Sequence, residues 1–201
     1  TTINAGAFAK LQILLPGETA APGTEPGKTG TPSAQTAGGS FNVIVNAVDA
    51  NWNVVSSTDT VGITSTDVNA SLPANTALVA GTKALSVTAK SFGSATFTST
   101  DISNGSMTAN TSPSTTINTG TFARLQILLP GETAAPGTAS GKTGIPSAQT
   151  AGGSFNVTVN AVDANWNPVS STDTIGVTST DANASLPANT ALVAGTKTLS
   201  V

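Results

Sequence analysis

The sequence contains no histidine, cysteine or tyrosine among its 201 residues. These absences remove the usual general base, the thiol nucleophile, the phenolic acid, and the imidazole and thiolate ligands of metal ions. Without cysteine there is no disulfide, so stability has to come from packed cores. We therefore expect a protein that is not an enzyme.

Charge is also scarce. Only 8% of the residues are Asp, Glu, Lys or Arg, and the formal net charge is -3, whereas ordinary soluble domains carry roughly 25% charged residues. No basic cluster occurs, so nucleic acid is not an expected partner. No apolar run reaches the length of a membrane-spanning helix, and we expect no membrane insertion.

The dominant feature that is present is a repeat of 114 residues. Thr1-Thr2-Ile3-Asn4 returns as Thr115-Thr116-Ile117-Asn118, and residues 1–87 and 115–201 differ at only twelve of 87 positions without an insertion. A unit of this length is too long for a solenoid repeat and fits a β-sandwich domain. The sequence thus predicts two domains, at 1–114 and 115–201.

The second predicted domain stops at Val201, which corresponds to Val87. It would lack two strands and expose apolar core and unpaired strand edges. Two explanations are open at this stage. Either the chain is a fragment of a protein with more repeats, or another chain donates the strands.

Alternating residues predict the strands and their faces. In Phe8–Leu15, the apolar side chains at 9, 11, 13 and 15 share one face, with Lys10 and Gln12 opposite. In the next strand, positions 41, 43, 45 and 47 face inward, while Asn42, Ile44, Asn46 and Val48 face outward. Ile44 is Thr158 in the second copy, a change that suits a solvent-facing position.

Five further strands complete the predicted repeat, for a total of seven. They lie at 60–64, 76–80, 83–90, 94–99 and 106–109. The β-branched residues, the Gly and Pro punctuation and the lack of a 3.6-residue apolar period favour an all-β fold. We predict tandem immunoglobulin-like Greek-key β-sandwiches.

Three short motifs carry a family resemblance. They are Asn46-Ala47-Val48-Asp49-Ala50-Asn51-Trp52-Asn53, Ser71-Leu72-Pro73-Ala74-Asn75 and the turn Ala80-Gly81-Thr82. They resemble the bacterial immunoglobulin-like repeats of large cell-surface adhesins and invasin-type proteins. The chain departs from that pattern at Trp52, where such domains usually have glycine, and in its long connection after the first strand. The resemblance implies a spacer, adhesive or matrix role.

One cluster of oxygen-bearing side chains suggests a metal site. Asp49, Asn51 and Asn53 place oxygen atoms at every second position, as the start of a calcium loop does. The copy repeats them as Asp163, Asn165 and Asn167. No glycine follows and no glutamate closes a twelve-residue loop, so Asx turns at a strand end are the competing interpretation. Calcium is the only cofactor that the sequence suggests.

Two other features have open interpretations. Trp52 and Trp166 are the only tryptophans, and they either pack in the domain or form an exposed platform for sugar stacking. The connection from Pro16 to Gly39 is too long for an ordinary sandwich turn. It recurs almost unchanged, and we hypothesise that it packs on a neighbouring domain or protomer.

These observations favour a structural or spacer repeat of an extracellular surface or fibre protein. Near-identical copies suit homotypic contacts between domains or subunits, assembled head to tail. The alternatives are an adhesin module that binds a glycan or surface ligand, a subunit of a self-assembling filament with strand donation, and an accessory domain of a secreted enzyme. A cell-surface or extracellular location is expected in each case.

Overall fold

A computed structural model describes all residues from Thr1 to Val201. The chain is all-β and contains no helix, and therefore no helix long and apolar enough to cross a membrane. It forms two compact units. Unit 1 comprises Thr1–Ala89 and Gly93–Asn118, and unit 2 comprises Lys90–Phe92 and Thr119–Val201.

Unit 1 contains twelve short strands. They are β1 (Lys10–Leu14), β2 (Glu18–Ala20), β3 (Lys28–Gly30), β4 (Gln35–Thr36), β5 (Ser40–Val48), β6 (Thr60–Ser65), β7 (Thr76–Ala77), β8 (Thr82–Thr88), β9 (Gly93–Ala95), β10 (Phe97–Asp101), β11 (Asn110–Thr111) and β12 (Thr115–Asn118). Their order is β1-β5-β8 in one sheet and β11-β10-β6-β7 in a second. Two smaller sheets have the orders β4-β12-β9 and β2-β3.

The two larger sheets enclose one apolar core. Leu11, Val43 and Leu85 from the first sheet share a buried cluster with Val61 and Phe97 from the second. The rings of Phe41 and Phe97 meet edge to face, with centroids 5.5 Å apart, which is a favourable aromatic geometry. This arrangement is consistent with a β-sandwich, while the Greek-key immunoglobulin-like topology remains a prediction.

The predicted inward faces of β1 and β5 are confirmed, because their alternating apolar residues are buried. The predicted outward face is partly wrong. Ile44 is exposed, but Gln12, Asn46 and Val48 are all buried. The alternation predicted that these side chains face solvent, whereas in the structure the β2-β3 hairpin covers this face of the sheet.

Two predicted strand boundaries also need correction. The predicted strand at 94–99 is two strands, because β9 pairs with β12 and β10 pairs with β6. The predicted strand at 106–109 is wrong, since only an isolated bridge between Thr108 and Lys10 occurs there. The nearest strand is β11, which pairs with β10. Changing sheets within a few residues leaves no signature in apolar periodicity.

The first four residues of the second sequence repeat belong to unit 1. Strand β12 pairs antiparallel with β9 and parallel with β4, and Ile117 is only 2% exposed. The identical tetrapeptide at Thr1–Asn4 forms no strand, and Ile3 is 91% exposed. The sequence period begins at residue 115, whereas the compact unit ends at Asn118.

Unit 2 repeats part of this arrangement. Its strands are β13 (Arg124–Leu128), β14 (Glu132–Ala134), β15 (Lys142–Gly144), β16 (Asn156–Val162), β17 (Thr174–Ile175), β18 (Thr190–Ala191) and β19 (Thr196–Ser200). The sheet β13-β16-β19 corresponds to β1-β5-β8, and β14-β15 corresponds to β2-β3. Strand β17 has two residues where its counterpart β6 has six, because β6 is extended by pairing with β10.

Two of the twelve differences between the copies are neighbours in the sheet. Ile44 lies opposite Ala84 in the β5-β8 register, and Thr158 lies opposite Thr198 in β16-β19. The two threonine hydroxyls of the second copy are 3.3 Å apart and share a hydrogen bond. An apolar cross-strand pair has thus been replaced by a hydroxyl pair, as expected of residues that contact each other.

The two copies of the Thr-Thr-Ile-Asn tetrapeptide provide a matched test of this fold. We expect Ile117→Ala to destabilise unit 1 by about 2–5 kcal/mol, because it removes a buried side chain and leaves a cavity. Ile3→Ala should change stability by less than about 0.5 kcal/mol, since Ile3 is exposed. Urea unfolding of both variants measures the difference, and equal effects would contradict the placement of β12.

Candidate functional site

The predicted calcium ligands lie in the loop that follows β5, where Asp49 acts as a hydrogen-bond acceptor. Its Oδ1 accepts bonds from the backbone amides of Asn51 at 2.8 Å and Asn53 at 2.9 Å. Its Oδ2 accepts from the Gly6 amide at 2.7 Å. The Asn53 side-chain amide donates to both oxygens. The carboxylate therefore closes an Asx turn and anchors the N-terminal segment.

These donors also set the charge state of Asp49. The Asn53 side-chain amide and the Gly6 backbone amide lower the pKa of Asp49 to about 2, because they stabilise the ionised carboxylate. Both oxygens face N–H donors, whereas a calcium ligand must direct lone pairs at the cation. The structure brings Asp49 and Asn53 together as partners of each other, and calcium binding there stays a prediction.

The copy in unit 2 has the same arrangement. Asp163 accepts from the backbone amides of Gly120, Asn165 and Asn167 and from the Asn167 side chain. Asn167 makes further bonds within unit 2, donating to the Lys90 carbonyl and accepting from the Phe92 amide. Nowhere in the structure do three or more acidic side chains converge.

Trp52 is packed inside unit 1 and is only 7% exposed. The Lys10 ammonium lies 3.6 Å from its ring centroid, a cation–π contact. The Gly27 backbone packs on the indole so closely that a Cβ atom there would overlap it. The indole N–H donates to Glu25 at 3.1 Å. These contacts favour the interpretation that Trp52 packs within the domain, and they argue against an exposed platform for sugar stacking.

The backbone at both tryptophans is left-handed, although neither residue is glycine. The φ of Trp52 is +68°, and Trp166 has φ +66°, a region in which glycine is the usual residue. In unit 2, Arg124 replaces Lys10 and lies 4.5 Å from the Trp166 ring centroid. The Trp166 N–H donates to the Ala139 carbonyl. Although Lys10 and Glu25 are replaced in the second copy, the tryptophan there keeps both a cation–π contact and a hydrogen bond from its indole N–H.

The long connection after β1 folds back over its own sheet. Its hairpin β2-β3 places the Gly27 carbonyl 2.8 Å from the Gln12 side-chain amide. The Gln12 oxygen accepts from Asn46 at 2.9 Å, so the polar groups on this buried face are paired. The hairpin thus packs on its own unit, and a contact of the connection with a neighbouring domain or protomer stays a prediction.

An ion pair fixes the base of the same hairpin. Lys28 and Glu18 are 2.9 Å apart, and both side chains are largely buried. Glu18 also accepts from the Leu15 amide, and Lys28 donates to the Ile13 carbonyl. The last part of the connection pairs as β4 with β12. No sequence pattern predicted this hairpin, and only the near identity of its two copies pointed to a structural role.

Sequence reasoning missed a pair of neighbouring carboxyl groups in unit 1. Asp101, at the end of β10, is 3% exposed, and its Oδ2 has no hydrogen-bond partner. Burial raises the pKa of Asp101, and the adjacent Asp59 carboxyl raises it further. Asp59 and Asp101 are 42 residues apart, so only strand pairing reveals that they are neighbours.

Unit 2 presents an open apolar face. Leu125 and Ile127 are 46% and 42% exposed, whereas their counterparts Leu11 and Ile13 are fully buried. A groove on this face is lined by apolar side chains that include Ile127, Leu129, Phe155, Val157, Val177 and Val201. In unit 1, the equivalent core is completed by Ala95, Phe97 and Ile117.

Two solved structures resemble the chain at low similarity. One, domains 5-6 of the S-layer protein SbsC, is 18% identical with a TM-score of 0.34, and the alignment covers 94% of this chain and 98% of that one. The other, domains 4-9 of the surface layer protein SbsC, is 17% identical with a TM-score of 0.33, and the alignment covers 94% of this chain and 31% of that one. No protein-family model and no curated protein matches the chain. Similarity at this level does not establish a shared fold or function.

The contact between Gly27 and Trp52 can be tested with a glycine pair. Gly27 and Gly23 have similar φ values of +80° and +77°, but nothing lies within 4 Å of a Cβ atom at Gly23. Gly23→Ala should cost about 1–2 kcal/mol through the left-handed backbone alone. Gly27→Ala should cost about 1–3 kcal/mol more through overlap with the indole. Chemical unfolding measures both, and equal losses would argue against the packing.

The role of Asp49 predicts a specific pH dependence. Because its pKa of about 2 in the folded state is below the ordinary value of 3.8, the carboxylate stabilises the fold above that ordinary value. This contribution is lost as the pH falls towards 2. We expect Asp49→Asn to lower the melting temperature at neutral pH and to flatten the decline on acidification. Asp173→Asn, at an exposed aspartate, serves as the control in the same thermal scans.

Proposed function

We propose that this chain is a structural repeat of an extracellular surface assembly, with no catalytic role. Its units would join through homotypic β-strand contacts rather than recognise a separate ligand. The observation that carries the proposal is that both copies commit the same polar side chains to holding loops on their own sheets.

The internal use of polar side chains supports a structural role. Asp49 and Asp163 accept bonds from their own loops, and Gln12 and Gln126 bind the carbonyls of Gly27 and Gly141. A binding or catalytic site needs polar groups that converge on a space for a ligand. Here both copies use the same groups to hold loops on the sheets.

The open face supports homotypic contact because its complement is present in the same chain. Strands β9, β10 and β12 cover the corresponding core of unit 1 with Ala95, Phe97 and Ile117. The residues beneath are nearly the same in both copies. We infer that the occupant of the unit 2 face is a segment equivalent to 93–118 from another repeat of this kind, added by strand pairing.

The alternative of a glycan or surface ligand has no contact in its favour. Trp52, the aromatic candidate for sugar stacking, is buried against Lys10 and Gly27. Trp166 is half-buried in the same arrangement. Stacking of a sugar needs an accessible ring face, which Trp52 does not provide.

The proposal can be tested by supplying the covering segment. A variant with a second copy of residues 88–118 placed directly after Val201 preserves the register of the repeat, because Val201 corresponds to Val87. We expect it to raise the melting temperature of unit 2, to reduce binding of an apolar dye, and to suppress concentration-dependent self-association in sedimentation velocity.

A matched control carries the same extension with the counterparts of Phe97 and Ile117 changed to Asp. These two side chains are buried in unit 1, so charged replacements should prevent docking. The control should behave like the unextended chain. The proposal fails if both extensions act alike.

A further inference from the structure

The tetrapeptide Thr-Thr-Ile-Asn occurs twice, and only one of its copies lies in a sheet. In β12, Thr115 and Ile117 are buried, and the strand pairs with β4 and β9. Residues 1–4 have the same sequence but form no strand, and Ile3 is almost fully exposed. A segment that serves as a strand in one copy is therefore left without a sheet in the other.

Unit 1 shows how such a segment is bound. The Ala37 amide donates to the Asn118 carbonyl at 2.8 Å, and the Thr115 hydroxyl donates to the Ser33 carbonyl at 3.0 Å. Strand β4 pairs with β12 and with no other strand. The residues of β4 therefore form a strand only because a Thr-Thr-Ile-Asn segment lies beside them.

Unit 2 contains the same apolar groove in an open state. In unit 1, the buried cluster around Ile117 includes Leu15, Ala37, Phe41 and Val87. The counterparts of these four residues in the groove of unit 2 are Leu129, Ala151, Phe155 and Val201. All four are unchanged in type, so the groove offers an isoleucine side chain the same apolar surface.

The pairing edge of this groove is also free. Gln149 and Thr150 are the counterparts of β4, and they are exposed and form no strand. An exposed, unpaired backbone segment beside an apolar groove is a place where an extended peptide can add a strand. Backbone hydrogen bonds then supply affinity, and the buried side chain supplies specificity.

We propose that residues 1–4 of one copy of this chain pair with residues 149–150 in unit 2 of a second copy. This inference rests on the proposed function and identifies the donor segment within the chain. The parallel register of β12 with β4 places Ile3 opposite Gln149 and Asn4 opposite Thr150. Because the donor and the acceptor are different surfaces, the contact repeats head to tail.

The experiment uses engineered disulfides, because the chain contains no cysteine of its own. Full chains carrying Asn4→Cys are mixed with full chains carrying Thr150→Cys under mild oxidation at neutral pH. We expect a disulfide-linked heterodimer in excess of both homodimers, since paired strands bring Cα atoms within disulfide distance. Mass spectrometry of the unreduced products measures the yields.

An intramolecular pair provides the geometric reference. Thr36 and Asn118 are partners in the β4-β12 register. A chain carrying both Thr36→Cys and Asn118→Cys should form a disulfide within itself under the same conditions. It reports how efficiently this register is cross-linked when the strand is already in place.

Two charged variants separate docking from random collision. Ile3→Asp in the Asn4→Cys chain should lower the heterodimer yield by about tenfold or more, because an aspartate is costly to bury in an apolar groove. Thr2→Asp adds the same charge at the counterpart of the exposed Thr116 and should leave the yield unchanged. Ile3 and Thr2 are both exposed, so neither variant should alter the unfolding of unit 1.

Two results would overturn the inference. One is the absence of the heterodimer while the intramolecular reference forms. The other is an equal yield from the Ile3→Asp and Thr2→Asp chains. If the extension after Val201 still stabilises unit 2 in either case, the proposed function stands and only the role of residues 1–4 is lost. Failure of the extended chain would instead count against the proposed function itself.

Discussion

The fold of unit 1 depends on burying the central strand β5 on both faces. On the inner face, Val43, Val45 and Ala47 pack against the opposing sheet. On the outer face, Asn46 and Val48 are covered as well, so the polar groups there must be hydrogen-bonded internally. Gln12 meets this requirement by linking Asn46 to the Gly27 carbonyl. The long connection is therefore a structural part of the sandwich.

Buried carboxylates are also hydrogen-bonded within the fold. Asp49 and Glu18 each accept backbone N–H bonds, and Glu18 also pairs with Lys28. Their role is to hold loops and a hairpin on the sheet. Asp101 differs because strand pairing buries it without a donor for Oδ2.

The two copies show how far one sequence can differ in environment. Leu11 and Leu125 have nearly identical sequence neighbours, yet one is buried and the other is exposed. The same holds for Ile117 and Ile3. Ile117 is buried because β12 pairs with β9 and β4, and Leu11 is buried because β6 and β10 of the opposing sheet complete its core. An apolar strand face becomes core only when another sheet covers it, and this dependence underlies the proposed homotypic assembly.

The sequence by itself determined the all-β class, the repeat, and the inward faces of β1 and β5, because alternation and duplication are local signals. It also identified Asp49 and Asn53, although only as oxygen-bearing residues. The tertiary structure decided which hydrogen-bond partners Asp49 and Asn53 have, and it buried Gln12. It also made Thr115–Asn118 a strand of unit 1 and brought Asp59 next to Asp101. Those features depend on pairing between residues far apart in the chain, and periodicity along a single strand carries no information about its partner.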